Sequence, residues 1–239
     1  MKKIFESETP ENLIKYTSSY LAKIYPGYYR TGSSNFNPMD YWIYGFQMAA
    51  LNFQTDDTPM ELNEALFNDN GNCGYVLKPD ILLDPKLGFN PLNTSTMKNK
   101  RILEIKIISG QNLPRARDLV KDITDPYVKV SIFGVPSDYY EKKTKSIKDN
   151  GVNPIWNHDF KFLINCPELA IVRFSVRDDD VGKDQLIGNF AIRLLSMKSG
   201  YRHIRLKNKE SKGTLFVGIK IEPVNKNIDL TQIDQIDYV

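Results

Sequence analysis

The residues of this chain best suited to chemistry are aspartates that fall between alternating apolar segments. Asp118, Asp122 and Asp125 lie in one such interval and Asp149 in a later one, while Asp178, Asp179, Asp180 and Asp184 follow the segment that ends near Arg177. In a β-sandwich the loops gather at the two ends. Three acidic loops at one end would converge carboxylates on a small volume, where like charges repel unless a cation sits between them. Calcium suits such a place, because it takes roughly 6–8 oxygen ligands and tolerates irregular geometry. Taken singly, each aspartate reads better as an ordinary turn residue. Lys142, Lys143, Lys145 and Lys148 form a second candidate. Near an anionic leaflet each basic residue is worth ~1 kcal/mol; the competing reading is a solvated strand face. No residues resemble a nucleophile with its base. The two histidines, His158 and His203, read as structural or exposed positions in separate sandwich strands, and glycine-flanked Cys73 reads as a small buried residue.

These residues need elements to position them. Leu103, Ile105 and Ile107 alternate with charged residues, and the same period recurs at Val128–Ile132, Phe160–Ile164, Val172–Val176 and Leu215–Ile221. Period-two segments separated by Gly, Pro, Asn and Asp predict an antiparallel sandwich of ~8 strands over 101–223. The first 83 residues read differently. Helical spacing over 12–23, with Asn12 as N-cap, is followed by a helical candidate from Tyr41 to Met48 and a short buried strand at Ala49–Phe53. A dense turn signal at 68–72 precedes a strand at Tyr75–Leu77. Helix and strand in alternation predict a β/α barrel piece, too short to close a barrel that needs eight strands. Residues 84–100 read as a linker and 224–239 as a tail.

Bulk properties set limits. The chain has 239 residues, 41% hydrophobic and 11% aromatic, enough for a real core. A net charge of +3 argues against nucleic-acid binding driven by bulk charge. Two distant cysteines fit reduced thiols rather than a disulfide framework. No apolar run approaches the ~20 residues that span a bilayer. The expectation is a cytoplasmic protein with peripheral membrane contact.

Four strings carry a resemblance: Ile24-Tyr25-Pro26, Ser33-Ser34-Asn35-Phe36-Asn37-Pro38, Ala50-Leu51-Asn52-Phe53-Gln54-Thr55 and Gly71-Asn72-Cys73-Gly74-Tyr75-Val76-Leu77-Lys78-Pro79. In this order they resemble the Y-half of the catalytic barrel of phosphoinositide-specific phospholipase C. Asp125-Pro126-Tyr127-Val128, Asn153-Pro154-Ile155-Trp156-Asn157, and Asp178-x-Asp180 with Ile187-Gly188 beyond are similar to a C2 domain. The implied fold is α/β plus all-β, a partial TIM-type half-barrel (1–83) followed by an eight-stranded C2 sandwich (101–223). The implied calcium ligands are Asp125, Asp178 and Asp180, with Asp149 at the second-loop position and Asp184 in an acidic loop one residue short. The implied headgroup contacts are Tyr25, packing on the inositol, and Lys23, where the family has arginine. Lysine keeps the charge but loses the bidentate fork. No matching serine is present.

The resemblance also implies what this sequence does not contain. The family transfers protons with histidines of the X-half, and no histidine precedes His158 here. The first expectation is therefore the Y-half and C2 domain of an enzyme that hydrolyses phosphatidylinositol 4,5-bisphosphate, active only with an X-half from the same protein or a separate chain. The second is a catalytically inactive phospholipase C-like protein that binds calcium, phospholipid or protein partners. A C2 adaptor with a residual scaffold explains the sandwich but not the Y-half strings.

Overall fold

The computed structural model describes residues 7–27, 31–114, 124–180, 184–207 and 213–224. Arg30, Asp118, Asp122 and the tail from 225 onward lie outside the described residues.

The first part begins with helix α1 (Pro10–Ser19). Thr9, not Asn12, caps it: the Thr9 hydroxyl accepts the Asn12 N–H at 3.3 Å, and Pro10 supplies the preset first helical position. Asn12 instead donates its side-chain amide to Glu8 at 3.0 Å. The helix stops at Ser19 because Tyr20 turns extended, four residues short of the expected end. Strand β1 (Lys23–Ile24) pairs in parallel with β2 (Met48–Ala49). Between them α2 (Met39–Trp42) ends well before Met48. Gly45 reverses the chain there at φ +82°, and a Cβ on it would stand 2.6 Å from Thr17 Oγ1. The Thr17 hydroxyl donates to the Tyr44 carbonyl at 2.7 Å, so the turn and α1 are held together. The strand expected over Ala49–Phe53 is thus only its first residue, joined to Met48.

Helix α3 (Thr58–Phe67) was not anticipated, although its cap is a local signal: the Asp57 carboxylate accepts the Met60 N–H at 3.2 Å and Pro59 follows. The turn at Asp69–Asn72 forms as expected, with Asn70 and Gly71 at positive φ. The strand expected at Tyr75–Leu77 does not form. Tyr75 and Leu77 are 80% and 85% exposed, and extended chain without a neighbour to pair with is not a strand. Cys73 is exposed, not buried, because the left-handed turn before it leaves the segment on the surface. A short α4 (Asp80–Leu83) completes this half-barrel part.

The stretch 84–100 is packed rather than extended. Phe89 is buried, the Asn90 amide donates to Glu11 at 2.9 Å, and the Thr94 and Ser137 hydroxyls meet at 2.9 Å.

Beyond it, among the described residues, stand eight strands: β3 (Arg101–Gln111), β4 (Pro126–Phe133), β5 (Tyr140–Lys143), β6 (Ile155–Ile164), β7 (Ile171–Asp178), β8 (Gln185–Arg193), β9 (Gly200–Arg205) and β10 (Thr214–Pro223). They form two four-stranded sheets, in the orders β6-β3-β10-β9 and β5-β4-β7-β8, with every pairing antiparallel. The alternating residues Leu103, Ile105, Ile107, Val128, Val130, Phe162, Phe174 and Val217 meet between the sheets, so the period-two pattern becomes the core.

A second core joins the two parts. Leu13, Trp42, Leu62, Ala65 and Phe89 pack with Val135, Cys166 and Ile171 of the sandwich. Within this seam Arg173 of β7 grips Glu61 of α3 through two bonds, Nε to Oε2 at 2.5 Å and Nη2 to Oε1 at 3.1 Å, and both side chains are 7% exposed. Arg193 and Ser196 both donate to the Asp69 carboxylate, at 2.7 Å each. The sandwich is therefore docked on the half-barrel by apolar packing, the buried Arg173–Glu61 pair and the half-buried Arg193–Asp69 pair.

Candidate functional site

Two places answer to the expectations from sequence. The first is the end of β1. Ile24 is buried and holds the strand, which turns its neighbours Lys23 and Tyr25 outward. Tyr25 is 55% exposed, and the Lys23 ammonium lies 4.8 Å from its ring centroid. An ammonium held over an exposed ring offers a phosphate a charge, and the rest of the ring offers a sugar-like ring a flat apolar surface. Tyr20 and Leu21, just before β1, and Phe53, just after β2, are also exposed. Lys78, not singled out from sequence, donates to the Thr17 carbonyl at 2.7 Å. Burial lowers its pKa, and its cation neutralises the C-terminal end of α1.

The second place is one end of the sandwich, where β4 begins and β7 ends. The register pairs Pro126 with Asp178, which brings their loops together. Asp125 is the hub. Its backbone N–H donates to Asp178 Oδ1 at 2.8 Å, and its carbonyl accepts the Asp179 N–H at 3.1 Å. Its carboxylate accepts the Asp149 N–H at 2.9 Å and the Lys148 ammonium at 2.6 Å. Asp149 makes this approach from a left-handed conformation, φ 55°. Lys148 holds the Asp125 carboxyl below the usual carboxylate range, and Asp125 in turn raises the Lys148 pKa.

The motif residues tie these loops down. Trp156 Nε1 donates to the Pro126 carbonyl at 3.0 Å, and Asn153 Oδ1 accepts the Asn112 N–H at 3.1 Å. Asp180 is half-buried just beyond Asp178. Asp184 faces elsewhere: it accepts the Tyr127 hydroxyl at 2.5 Å. Burial, and then this carboxylate, push the Tyr127 pKa up to about 12.

An all-oxygen donor set suits a hard cation, and Asp125 already accepts a stand-in cation, the Lys148 ammonium. Among the described residues, however, no three His, Cys, Asp or Glu side chains are gathered around one point as they stand. The structure thus brings Asp125, Asp149 and Asp178 into one network and turns Asp184 toward Tyr127. Of the lysines, Lys142 lies 5.4 Å from the Phe162 ring centroid and Lys143 lies 5.1 Å from that of Tyr127. Both are partly engaged by the sandwich itself. His158 and His203 sit in β6 and β9 beside Phe160 and Phe216, away from both places. Among the described residues no helix is long and apolar enough to cross a membrane.

Comparison with known proteins agrees with this division. Residues 1–81 match the profile of "Phosphatidylinositol-specific phospholipase C, Y domain", and residues 101–210 match that of the C2 domain. The chain is 41% identical over 226 residues to inactive phospholipase C-like protein 2 of Mus musculus, covering 91% of this chain and 20% of that protein. It is also 41% identical over 222 residues to 1-phosphatidylinositol 4,5-bisphosphate phosphodiesterase delta-1 of Homo sapiens, covering 90% of this chain and 29% of that protein. The crystal structure of PLC21 from L. pealei superposes with a TM-score of 0.82 at 35% identity, covering 92% of this chain and 28% of that one. The chain therefore spans under a third of the length of these relatives. With a Y domain docked on a C2 sandwich in the arrangement of a solved phospholipase C, it belongs to the phosphatidylinositol-specific phospholipase C family.

Proposed function

We propose that this chain supplies the headgroup-facing half of a phosphoinositide phospholipase C site together with a C2 domain that binds calcium and anionic phospholipid at the cytoplasmic membrane surface. The observation that carries the first half is the Lys23 ammonium 4.8 Å from the exposed Tyr25 ring. Lys23 attracts a ring phosphate as a point charge, and Tyr25 packs against the inositol. Hydrolysis of phosphatidylinositol 4,5-bisphosphate to inositol trisphosphate and diacylglycerol also needs proton transfer, typically worth roughly 10²–10⁴-fold. That machinery belongs to an X-half. Only two strands of barrel are present among the described residues, beside the exposed apolar side chains Tyr20, Leu21 and Phe53. A complementary barrel segment covers such a surface and extends such an edge.

In the C2 domain, Asp125, Asp178 and Asp180 would hold calcium, with Asp149 on the neighbouring loop before β6 and Asp184 on the loop after β7. Bound calcium cancels the acidic repulsion and presents open positions to lipid phosphate. The chain's own contribution is to fix the carboxylate loops through the Asp125, Asn153 and Trp156 hydrogen bonds.

A second reading, a catalytically inactive lipid-binding protein, is favoured by Lys23 in the arginine position. Both readings need the headgroup surface and differ in turnover. Sedimentation with vesicles tests the shared part. Binding should require phosphatidylinositol 4,5-bisphosphate over phosphatidylcholine alone, fall in Tyr25→Ala, and weaken on chelating calcium or in Asp178→Asn/Asp180→Asn. Binding indifferent to all three changes would reject the proposal.

A further inference from the structure

We infer that Lys148 is a tethered counter-ion that holds the cation position at Asp125, so that calcium enters these loops only by displacing it. The inference rests on the calcium reading above and adds a residue that sets how much calcium is needed. The Asp125 side chain is recessed, 18% exposed, whereas Lys148 is 71% exposed and reaches down to Asp125 Oδ2 at 2.6 Å. The ammonium therefore covers the carboxylate from the solvent side, on a long flexible stem that can release it into water. The loop itself does not depend on that contact. The Asp149 N–H holds Asp125 Oδ1 at 2.9 Å, and the Asn150 side chain bonds the Asn153 backbone in both directions at 3.3 Å. The Lys148 side chain is free to swing away while the backbone stays in place.

Two consequences follow. Without calcium, part of the acidic charge at the sandwich tip is already neutralised, so the loops stay together with no metal. With calcium, the ion must first break the Lys148–Asp125 pair. An exposed pair of this kind lowers the apparent calcium affinity by roughly two- to five-fold.

Titration calorimetry of the full 239-residue chain with calcium chloride tests this. Lys148→Met should bind calcium roughly two- to five-fold more tightly than the unaltered chain. Lys148→Arg, which keeps the cation, should match the unaltered chain. Lys145→Met, which removes an exposed charge from the same loop, should also match it. Lys148 is solvent-facing, and circular dichroism should confirm that all variants melt alike. Equal affinity in Lys148→Met and the unaltered chain would overturn the inference and leave the calcium reading standing. An equal gain in Lys145→Met would overturn it as well, since the effect would then be general charge. No calcium binding by any of the four proteins would overturn both the inference and the calcium reading.

Discussion

The joint between half-barrel and sandwich depends on Arg173, and Arg173→Met measures how much. Its guanidinium and the Glu61 carboxylate make two bonds, at 2.5 and 3.1 Å, with both side chains 7% exposed. At that depth methionine leaves a buried carboxylate without its counter-charge. Removing one member of a buried pair costs about 3–5 kcal/mol. For a chain of this size, each kcal/mol moves the melting temperature by roughly 2–4 °C, so the variant should melt about 6–20 °C lower. Replacing both members, Glu61→Leu with Arg173→Met, removes the orphaned charge and should recover most of the loss. The assay is thermal unfolding followed by circular dichroism and by tryptophan fluorescence. Trp42 reports on the half-barrel and Trp156 on the sandwich. Because one apolar core runs through both parts, the two probes should coincide in the unaltered chain. A single variant that melts within about 2 °C of the unaltered chain would refute the reasoning. So would a double variant no better than the single.

Other consequences are checkable in the same way. Gly45→Ala should destabilise by about 1–3 kcal/mol in urea titrations, since φ is +82° and a Cβ would meet Thr17 Oγ1 at 2.6 Å. Asp138 is fully buried, and its carboxylate accepts the Asn165 and Cys166 N–H groups at 2.7 Å each. Burial raises its pKa above 3.8, so the folded chain keeps this proton where the unfolded chain has released it. Its stabilising contribution is thus complete below 3.8 and is lost as pH rises through the folded value. The difference in unfolding free energy between the unaltered chain and Asp138→Asn should change with pH in that window. Exposed Cys73 should react with a maleimide in the folded protein while Cys166 reacts only after denaturation. Burial pushes the Cys166 thiol well above its ordinary pKa.

What was legible in the sequence was local. Alternation at 103–107 or 172–176 is written residue by residue, and both became strands facing one core. The Asn153-Pro154-Ile155-Trp156 string was recognisable because its turn is built from neighbouring residues, whereas its indole bond reaches Pro126, 30 positions away. Short barrel strands were harder. Met48–Ala49 is a strand only because Lys23–Ile24 lies beside it, and Tyr75–Leu77 is also apolar but without such a neighbour. The long-range pairs had no sequence signal at all. Lys78 meets Thr17 across 61 positions, and Arg173 meets Glu61 across 112. Lys148 was visible as one lysine in a basic run, but its selection of Asp125 depends on how the left-handed turn at Asp149 presents the loop. Asp184 shows the converse: acidic spacing placed it with the other loop carboxylates, and the Tyr127 hydroxyl claims it instead.

Lys23 and Tyr25 are proposed to form a headgroup surface whose proton-transfer partners lie in an X-half. The most direct measurement is release of inositol trisphosphate from vesicles containing phosphatidylinositol 4,5-bisphosphate, by the purified chain alone and after mixing with a phospholipase C X-half supplied as a separate polypeptide. The expected result is no release by the chain alone, and release on mixing that is reduced by Tyr25→Ala. Turnover by the chain alone in a clean preparation would contradict it.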